Sequence, residues 1–428
     1  MSIDSARPAA ALGFKQVLAV AAGNALAFYD FLTYAFFAIQ IGQTFFPSKN
    51  SQTSLLISLA TFGVGFVARP IGALVIGSWG DRHGRKPAMV FSFALMGLSI
   101  LGLALTPSYA RIGIAAPILA ISFRILQGFA LGGEVGPTTA YMIEAAPPLK
   151  RGYFSSFAYA TQDMGVLLAG LVGTGLSSMM TTSELTDWGW RIAFILGASI
   201  VPFGLILRRR LEETLTPEQA PQKISLAPYA RVIALGLALL LTGTVGNYVI
   251  DYMTTFANHT LHMNATVAFG ATLVIGVFSV AADLVSGVLS DRFGRRPQMI
   301  ACYVLLMLMA LPAFWAIVHF HSTTALFTGS AVMSVLLSIG SGPVLTALTE
   351  SIPVRVRSGV VGTVYALSIT VFGGSTQLMV AWLIGLTGSA LVPGFYMMAA
   401  MIVGVIAALL LRETAPRVLA RRQATVGA

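Results

Sequence analysis

Gly80-Asp81-Arg82-His83-Gly84-Arg85-Lys86-Pro87 returns 210 positions later as Ser290-Asp291-Arg292-Phe293-Gly294-Arg295-Arg296-Pro297. Both copies are short, basic and flanked by long apolar stretches. The duplication extends further. Glu144, Pro147, Arg151 and Gly152 match Glu350, Pro353, Arg357 and Gly359, and Gly136-Pro137 matches Gly342-Pro343. Tyr29-Asp30-Phe31-Leu32-Thr33 echoes Ile250-Asp251-Tyr252-Met253-Thr254 at a different offset, 221. A longer first external loop, near 41–53, against its counterpart near 263–265, is the expected source of that difference. Ordered matches of this kind mark an internal repeat.

Composition sets the class. The chain of 428 residues is 56% hydrophobic and 10% charged, with a mean hydropathy of +0.81. Soluble domains carry roughly 25% charged residues, so this chain is read as a polytopic membrane protein. Apolar runs of about 20 residues, enough to span a bilayer, fall near 15–40, 54–79, 88–106, 112–145, 153–180, 190–209, 230–257, 266–289, 298–318, 324–350, 359–386 and 390–411. The fold class is therefore all-α: twelve transmembrane helices in two homologous six-helix halves. The expected divisions are 1–209, a polar linker 210–229, and 230–428. The fourth and tenth runs exceed one span and are expected to tilt. Repeated halves of this kind place a substrate site at the midplane between them.

Charge sets the topology. Alternate connections hold 21 of the 26 Lys and Arg residues, while the opposite side holds only Lys49, Arg111 and Arg191. The positive-inside rule puts both termini in the cytoplasm, with the cell inner membrane as the expected location. The formal charge of +10 is then a topology signal, aided by anionic lipid, and calls for no nucleic acid. No removable signal peptide is read at the N-terminus. Cys302 is the single cysteine, which excludes a disulfide framework. The five histidines fall at helix ends or in loops, and no GxxxxGK[ST] loop is present. A metal cage, ATP-driven transport and enzymatic catalysis are accordingly not expected, and no cofactor is assigned.

The duplicated loop resembles the signature between the second and third helices of the major facilitator superfamily. Asp81 and Asp291 sit at helix ends, where a carboxylate meets the positive N-terminus of another helix. Arg82, Arg85, Arg292 and Arg295 reach for acids, with Glu144 and Glu350 the candidate partners. Gly77 and Gly287 allow close helix approach. Together with Gly84 and Gly294 these residues form an expected cytoplasmic latch. Further motifs are similar to the metabolite:proton symporters, most of all citrate and tricarballylate carriers: Gly23-Asn24 with Tyr29-Asp30-Phe31, Phe66 to Ala73, Arg124-Ile-Leu-Gln127-Gly128 with Gly133-Glu134, Trp188-Gly-Trp190-Arg191-Ile192, and Leu348-Thr349-Glu350 with Phe372-Gly373-Gly374. The family pattern has a glutamate just before the Tyr-Asp pair; this chain has Ala27 and Phe28.

An ionised side chain at the bilayer centre costs roughly 3 kcal/mol or more, which makes it a functional candidate. Arg69 and Arg124 qualify, and arginine grips carboxylates bidentately. Both are expected to bind substrate, with Asn24, Tyr34, Gln127, Gln162, Asn247 and Tyr365 as neutral contacts. Tyr248 and Gln377 are weaker candidates. Asp30 and Glu134 are the expected proton-coupling acids. Asp163 and Asp251 are open between cavity and structure, and Asp283 is expected in helix packing or the latch. In the second half Ser330, Gly340 and Ser279 stand where the first has Arg124, Glu134 and Arg69.

The resulting expectation is a monomeric symporter importing a small organic anion, citrate- or tricarballylate-like, with protons by alternating access. Sodium is left open as coupling ion. A betaine, a shikimate-like acid or another dicarboxylate is the alternative substrate, and a channel or non-transporting receptor the alternative class.

Overall fold

The computed structural model describes residues 25, 28–83, 85–144, 150–209, 227–352 and 354–420. They are helical almost throughout, with no strand among them. Twelve long helical segments follow one another: α1 (28–36, continued by Ala38–Phe45), α2 (Ser51–His83), α3 (Arg85–Leu105), α4 (Ala115–Glu144), α5 (Arg151–Met179), α6 (Trp190–Arg209), α7 (Ala230–Asp251, extended through Met253–Thr255 and a π-turn Phe256–Thr260), α8 (Ala265–Phe293), α9 (Arg295–Phe320), α10 (Thr323–Ser351), α11 (Val354–Ser368, a π-turn Ile369–Gly373, then Gly374–Thr387) and α12 (Val392–Leu410). Among the described residues eight helices are individually long and apolar enough to cross a membrane. Residues 1–24, the linker residues 210–226 and Pro353 lie outside the description.

Length is distributed differently from the sequence expectation. At 33 residues α2 is the longest helix among the described residues, about 50 Å at 1.5 Å per residue. The fourth segment exceeds one span as expected but starts later, because Tyr109–Ile112 form a separate turn ended by Gly113 at φ +58°. That backbone angle suits glycine, and α4 starts only at Ala115. The loop explanation for the change of offset is corrected too. α1 runs to Phe45 and α7 to Thr260, leaving connections of nearly equal length, 46–50 and 261–264. The extra residues of the first half lie mostly in the helices themselves.

Large apolar side chains point outward all round the bundle: Leu74, Leu105, Leu308, Trp315 and Leu386 are well exposed. In lipid such a surface is ordinary, since helix association depends on close packing rather than on escape from water. Small residues supply that packing between the halves. A Cβ at Gly63 would meet the Gly374 carbonyl at 2.6 Å, tying α2 to α11, and one at Gly170 would meet the Leu273 backbone nitrogen at 2.6 Å, tying α5 to α8. Side-chain bonds to backbone carbonyls reinforce both seams: Gln52 to Ala381 at 2.8 Å and Thr266 to Ser177 at 3.0 Å.

Candidate functional site: a caged arginine pair beside a cavity between the halves

The site begins with helix crossing. Glycines at 65, 72, 128 and 132 interlock α2 and α4, with a carbonyl of the partner helix filling the space a Cβ would need at Gly72, Gly128 and Gly132. The partner carbonyls at Gly65 and Gly132 belong to Arg124 and Arg69. Backbone contact at these points sets the two arginines side by side.

Both are buried, Arg69 at 6% exposure and Arg124 at 0%. They share an aromatic floor. The Arg69 guanidinium carbon lies 4.1 Å from the Phe31 ring centre and 4.3 Å from that of Phe66. The Arg124 carbon lies 4.5 Å from Phe31, 4.5 Å from Tyr34 and 5.1 Å from Phe62. Each cation–π contact offsets part of the desolvation cost, by about 1–2 kcal/mol when buried. Neutral hydrogen bonds add little: Arg124 donates to the Gln127 amide oxygen and, at 3.5 Å, to the Phe62 carbonyl. Nε and Nη2 of Arg69 and Nε of Arg124 are buried without partners. Among the described residues neither arginine has a carboxylate in ion-pair range.

Phe62 and Phe66 lean on Tyr248 of α7, with ring centres 6.2 Å and 5.5 Å away. Tyr248 is also a wall of the central cavity. That cavity encloses about 810 Å³ including its open mouth, and its lining comes from both halves: Phe28, Gln162, Asp163, Asn247, Asp251 and Tyr365 among others. Gln162 donates to the Tyr365 hydroxyl at 3.3 Å across the halves. The arginine pair therefore lies one aromatic layer behind the cavity, at the Tyr248 wall.

The sequence-derived candidates separate on this map. Arg69, Arg124, Tyr34 and Gln127 form the cage, while Gln162, Asn247 and Tyr365 line the cavity. Asn24 lies outside the described residues, and the Glu134 side chain outside the described side chains. Asp30 is 1% exposed and faces Gly197 of α6, whose missing side chain makes room for the carboxylate; it is not part of the lining. Gln377 is buried away from the cavity with both amide atoms unpartnered. Phe31, Phe62 and Phe66 received no site role from the sequence, because phenylalanine at helical spacing looks like core.

A second cluster surrounds the Asp291 loop. Asp291 accepts from the Gly152 and Tyr153 backbone nitrogens at 3.0 Å each, capping the first turn of α5. Arg295 pairs with Asp291 at 2.8 Å and Glu350 at 3.2 Å. Gly294 adopts φ +110°, a region open essentially to glycine alone. Arg292 does not join: it is exposed, over the Phe293 ring at 5.4 Å, because one step along a helix turns a side chain by about 100°. Glu413 and Thr414, absent from the sequence-derived set, complete the cluster. Glu413 accepts from the Arg295 and Arg296 nitrogens at the start of α9, and Thr414 donates to Glu350 at 2.7 Å. The corresponding side chains of the first half, Asp81, Arg82, Arg85 and Glu144, and Gly84 itself, lie outside the description.

Comparison with known proteins agrees with this architecture. The Major Facilitator Superfamily model matches residues 20–376. A citrate-proton symporter of Klebsiella pneumoniae is 35% identical, over 91% of this chain and 90% of its own length. A proline/betaine transporter of Escherichia coli (strain K12) is 30% identical, over 94% and 84%. The crystal structure of a D-xylose-proton symporter superposes with a TM-score of 0.75 at 20% identity, covering 94% of this chain and 98% of the other, which bears on fold alone. The repeated halves, the packed glycine seams and these matches together make the chain a member of the major facilitator superfamily, a multi-pass membrane transporter and not an enzyme.

Proposed function

We propose that the chain imports a small organic carboxylate, of citrate or tricarballylate type, in symport with protons by alternating access. The observation that carries this reading is the arginine pair: two buried guanidiniums on one phenylalanine ring without a counter-charge among the described residues. Isolated buried charges are costly. A carboxylate entering past Tyr248 would supply the missing partner, and a ligand with two or three carboxylates would use both cations. The similarity to a citrate-proton symporter points the same way. Asp30 and Glu134 are the first proton-carrying candidates of this reading.

The halves are taken as 1–209 and 230–428, joined through 210–229, in the inner membrane with both termini cytoplasmic and each monomer complete. The Asp291–Arg295–Glu350 cluster, with its first-half counterpart, then serves as the cytoplasmic latch. It must release Gly152 and Tyr153 when the α5–α8 seam opens.

A second reading has its own observation. The charged lining of the cavity is acidic, Asp163 and Asp251, beside the Tyr248 and Tyr365 rings. A zwitterion would place its carboxylate at the arginines and its cationic group among these acids and rings. One experiment separates the two readings: uptake of labelled citrate, tricarballylate, glycine betaine and proline into proteoliposomes, with and without an inward proton gradient. Citrate or tricarballylate accumulation that a protonophore collapses supports the first reading. Accumulation of betaine or proline alone replaces it with the second.

A further inference from the structure

The seam between α5 and α8 contains an arrangement that the carboxylate site does not use. Along α8, Asp283, Gly287 and Asp291 recur every four residues and so share one face. Each meets α5. Asp291 caps its first turn through Gly152 and Tyr153. At Gly287, a Cβ would stand 2.7 Å from the Tyr153 Cα. Eight residues from Asp291, about 12 Å along the helix, Asp283 comes within hydrogen-bonding reach of Asp163. Beyond them Gly276 and Gly170 bring the backbones together again. Two carboxyl groups, one from each half, thus lie within reach of each other on a helix seam held by close backbone contact on either side.

The surroundings do not neutralise them. Ser338 of α10 faces both carboxyls and Ser279 of α8 faces Asp163. The other titratable neighbours are Asp251 of α7, which faces Asp163, and Tyr159 of α5, which faces Asp283 and is itself flanked by Tyr303 of α9 and Tyr365 of α11. No arginine, lysine or histidine pairs with either acid among the described residues. Asp283 is 2% exposed, and its Oδ2 is buried without a partner. Asp163 lines the cavity. Two carboxylates in contact in a low-dielectric layer repel each other, and a single proton removes the repulsion by turning one oxygen into a donor.

We propose that Asp163 and Asp283 share one proton across the seam, held on Asp283 and donated to Asp163, and that this proton is the one coupled to transport. It rests on the symport reading above and relocates its proton site from Asp30 and Glu134. Asp163 connects the pair to the cavity and hence to whichever side the cavity faces. With the proton bound, the O–H···O bond joins the halves; once the proton leaves through the cavity, two carboxylates oppose each other and loosen α5 from α8. Occupancy of the pair therefore biases the movement of one half against the other.

The test is infrared spectroscopy of the full-length protein in lipid at neutral pH, joined to transport assays of the same preparations. Asp283→Asn is expected to abolish one protonated-carboxyl band, and Asp163→Asn to shift that band, since the donor loses its carboxylate acceptor. A carboxyl spectrum unchanged in both variants overturns the shared proton. In proteoliposomes both variants are expected to lose accumulation of citrate or glycine betaine against its gradient, while exchange of the same labelled compound across the membrane falls less. Accumulation equal to wild type in both overturns the coupling role. If the wild-type protein exchanges neither compound, the substrate reading falls, and the infrared result still decides for or against the pair.

Discussion

Arg124 and Arg295 are equally inaccessible, each at 0% exposure, yet they live in opposite surroundings. Arg295 has Asp291 and Glu350 as counter-charges and the Ser290 hydroxyl at 2.8 Å besides. Arg124 has an amide oxygen, one long carbonyl contact and aromatic faces. The first environment holds two counter-charges and the second holds none among the described residues. Burial alone therefore does not identify a binding residue. What separates a structural cation from one awaiting a ligand is whether its donors are already satisfied.

The largest effect expected from this comparison is at Arg295. Arg295→Leu leaves two carboxylates without their cation at a helix junction. Removing one partner of a buried pair costs about 3–5 kcal/mol. A marked drop in the thermal midpoint of the purified protein is the expected result, and a midpoint near wild type would mean that Thr414 for Glu350 and the α5 nitrogens for Asp291 suffice. Arg124→Gln should behave in the opposite way. It removes an uncompensated charge, so the midpoint should hold or rise. Loss of a charge-assisted contact to substrate costs about 2–5 kcal/mol, so uptake should fall at least about 30-fold. A variant that transports normally would remove Arg124 from the site.

Gly294 gives a smaller effect on the complete side of the comparison. Its φ of +110° is unfavourable for any side chain, and a Cβ there would meet a Glu413 carboxylate oxygen at 2.6 Å. Gly294→Ala should cost about 1–3 kcal/mol of stability, read as a lower thermal midpoint with substrate affinity unchanged. A shift in affinity instead would connect this loop to the binding site.

These contrasts also mark how far the sequence could be read. Asp291, Arg295 and Glu350 were legible because the loop is duplicated and an acid at a helix end has few uses other than capping or pairing. Glu413 and Thr414 went unread, although the sequence carried a signal for them: Leu411-Arg412-Glu413-Thr414 after the twelfth span echoes Leu211-Glu212-Glu213-Thr214 after the sixth. Arg69 and Arg124 stood out through the cost of burying charge. Their aromatic cage did not, since apolar rings carry no signal in an apolar helix. Asp283 was correctly placed on one stripe with Gly287 and Asp291, but only the fold brings that stripe against Asp163, 120 residues away in the chain.

Phe31 sharpens the comparison from the side of the incomplete arginines. Its ring faces both guanidiniums, and it packs edge-on against Phe66 at 4.8 Å. Phe31→Leu keeps an apolar side chain there and removes the π face. Each lost cation–π contact is worth about 1 kcal/mol. If the ring only makes burial of the charges tolerable, the variant loses stability and keeps its affinity. If the ring holds the cations in position for an incoming carboxylate, the apparent affinity falls about fivefold for a loss of about 1 kcal/mol. Bound substrate stabilises the folded state by an amount that grows with the logarithm of its concentration over its dissociation constant. The expected outcome is a variant whose thermal midpoint rises less than that of the wild type at the same substrate concentration; equal shifts would reduce Phe31 to packing.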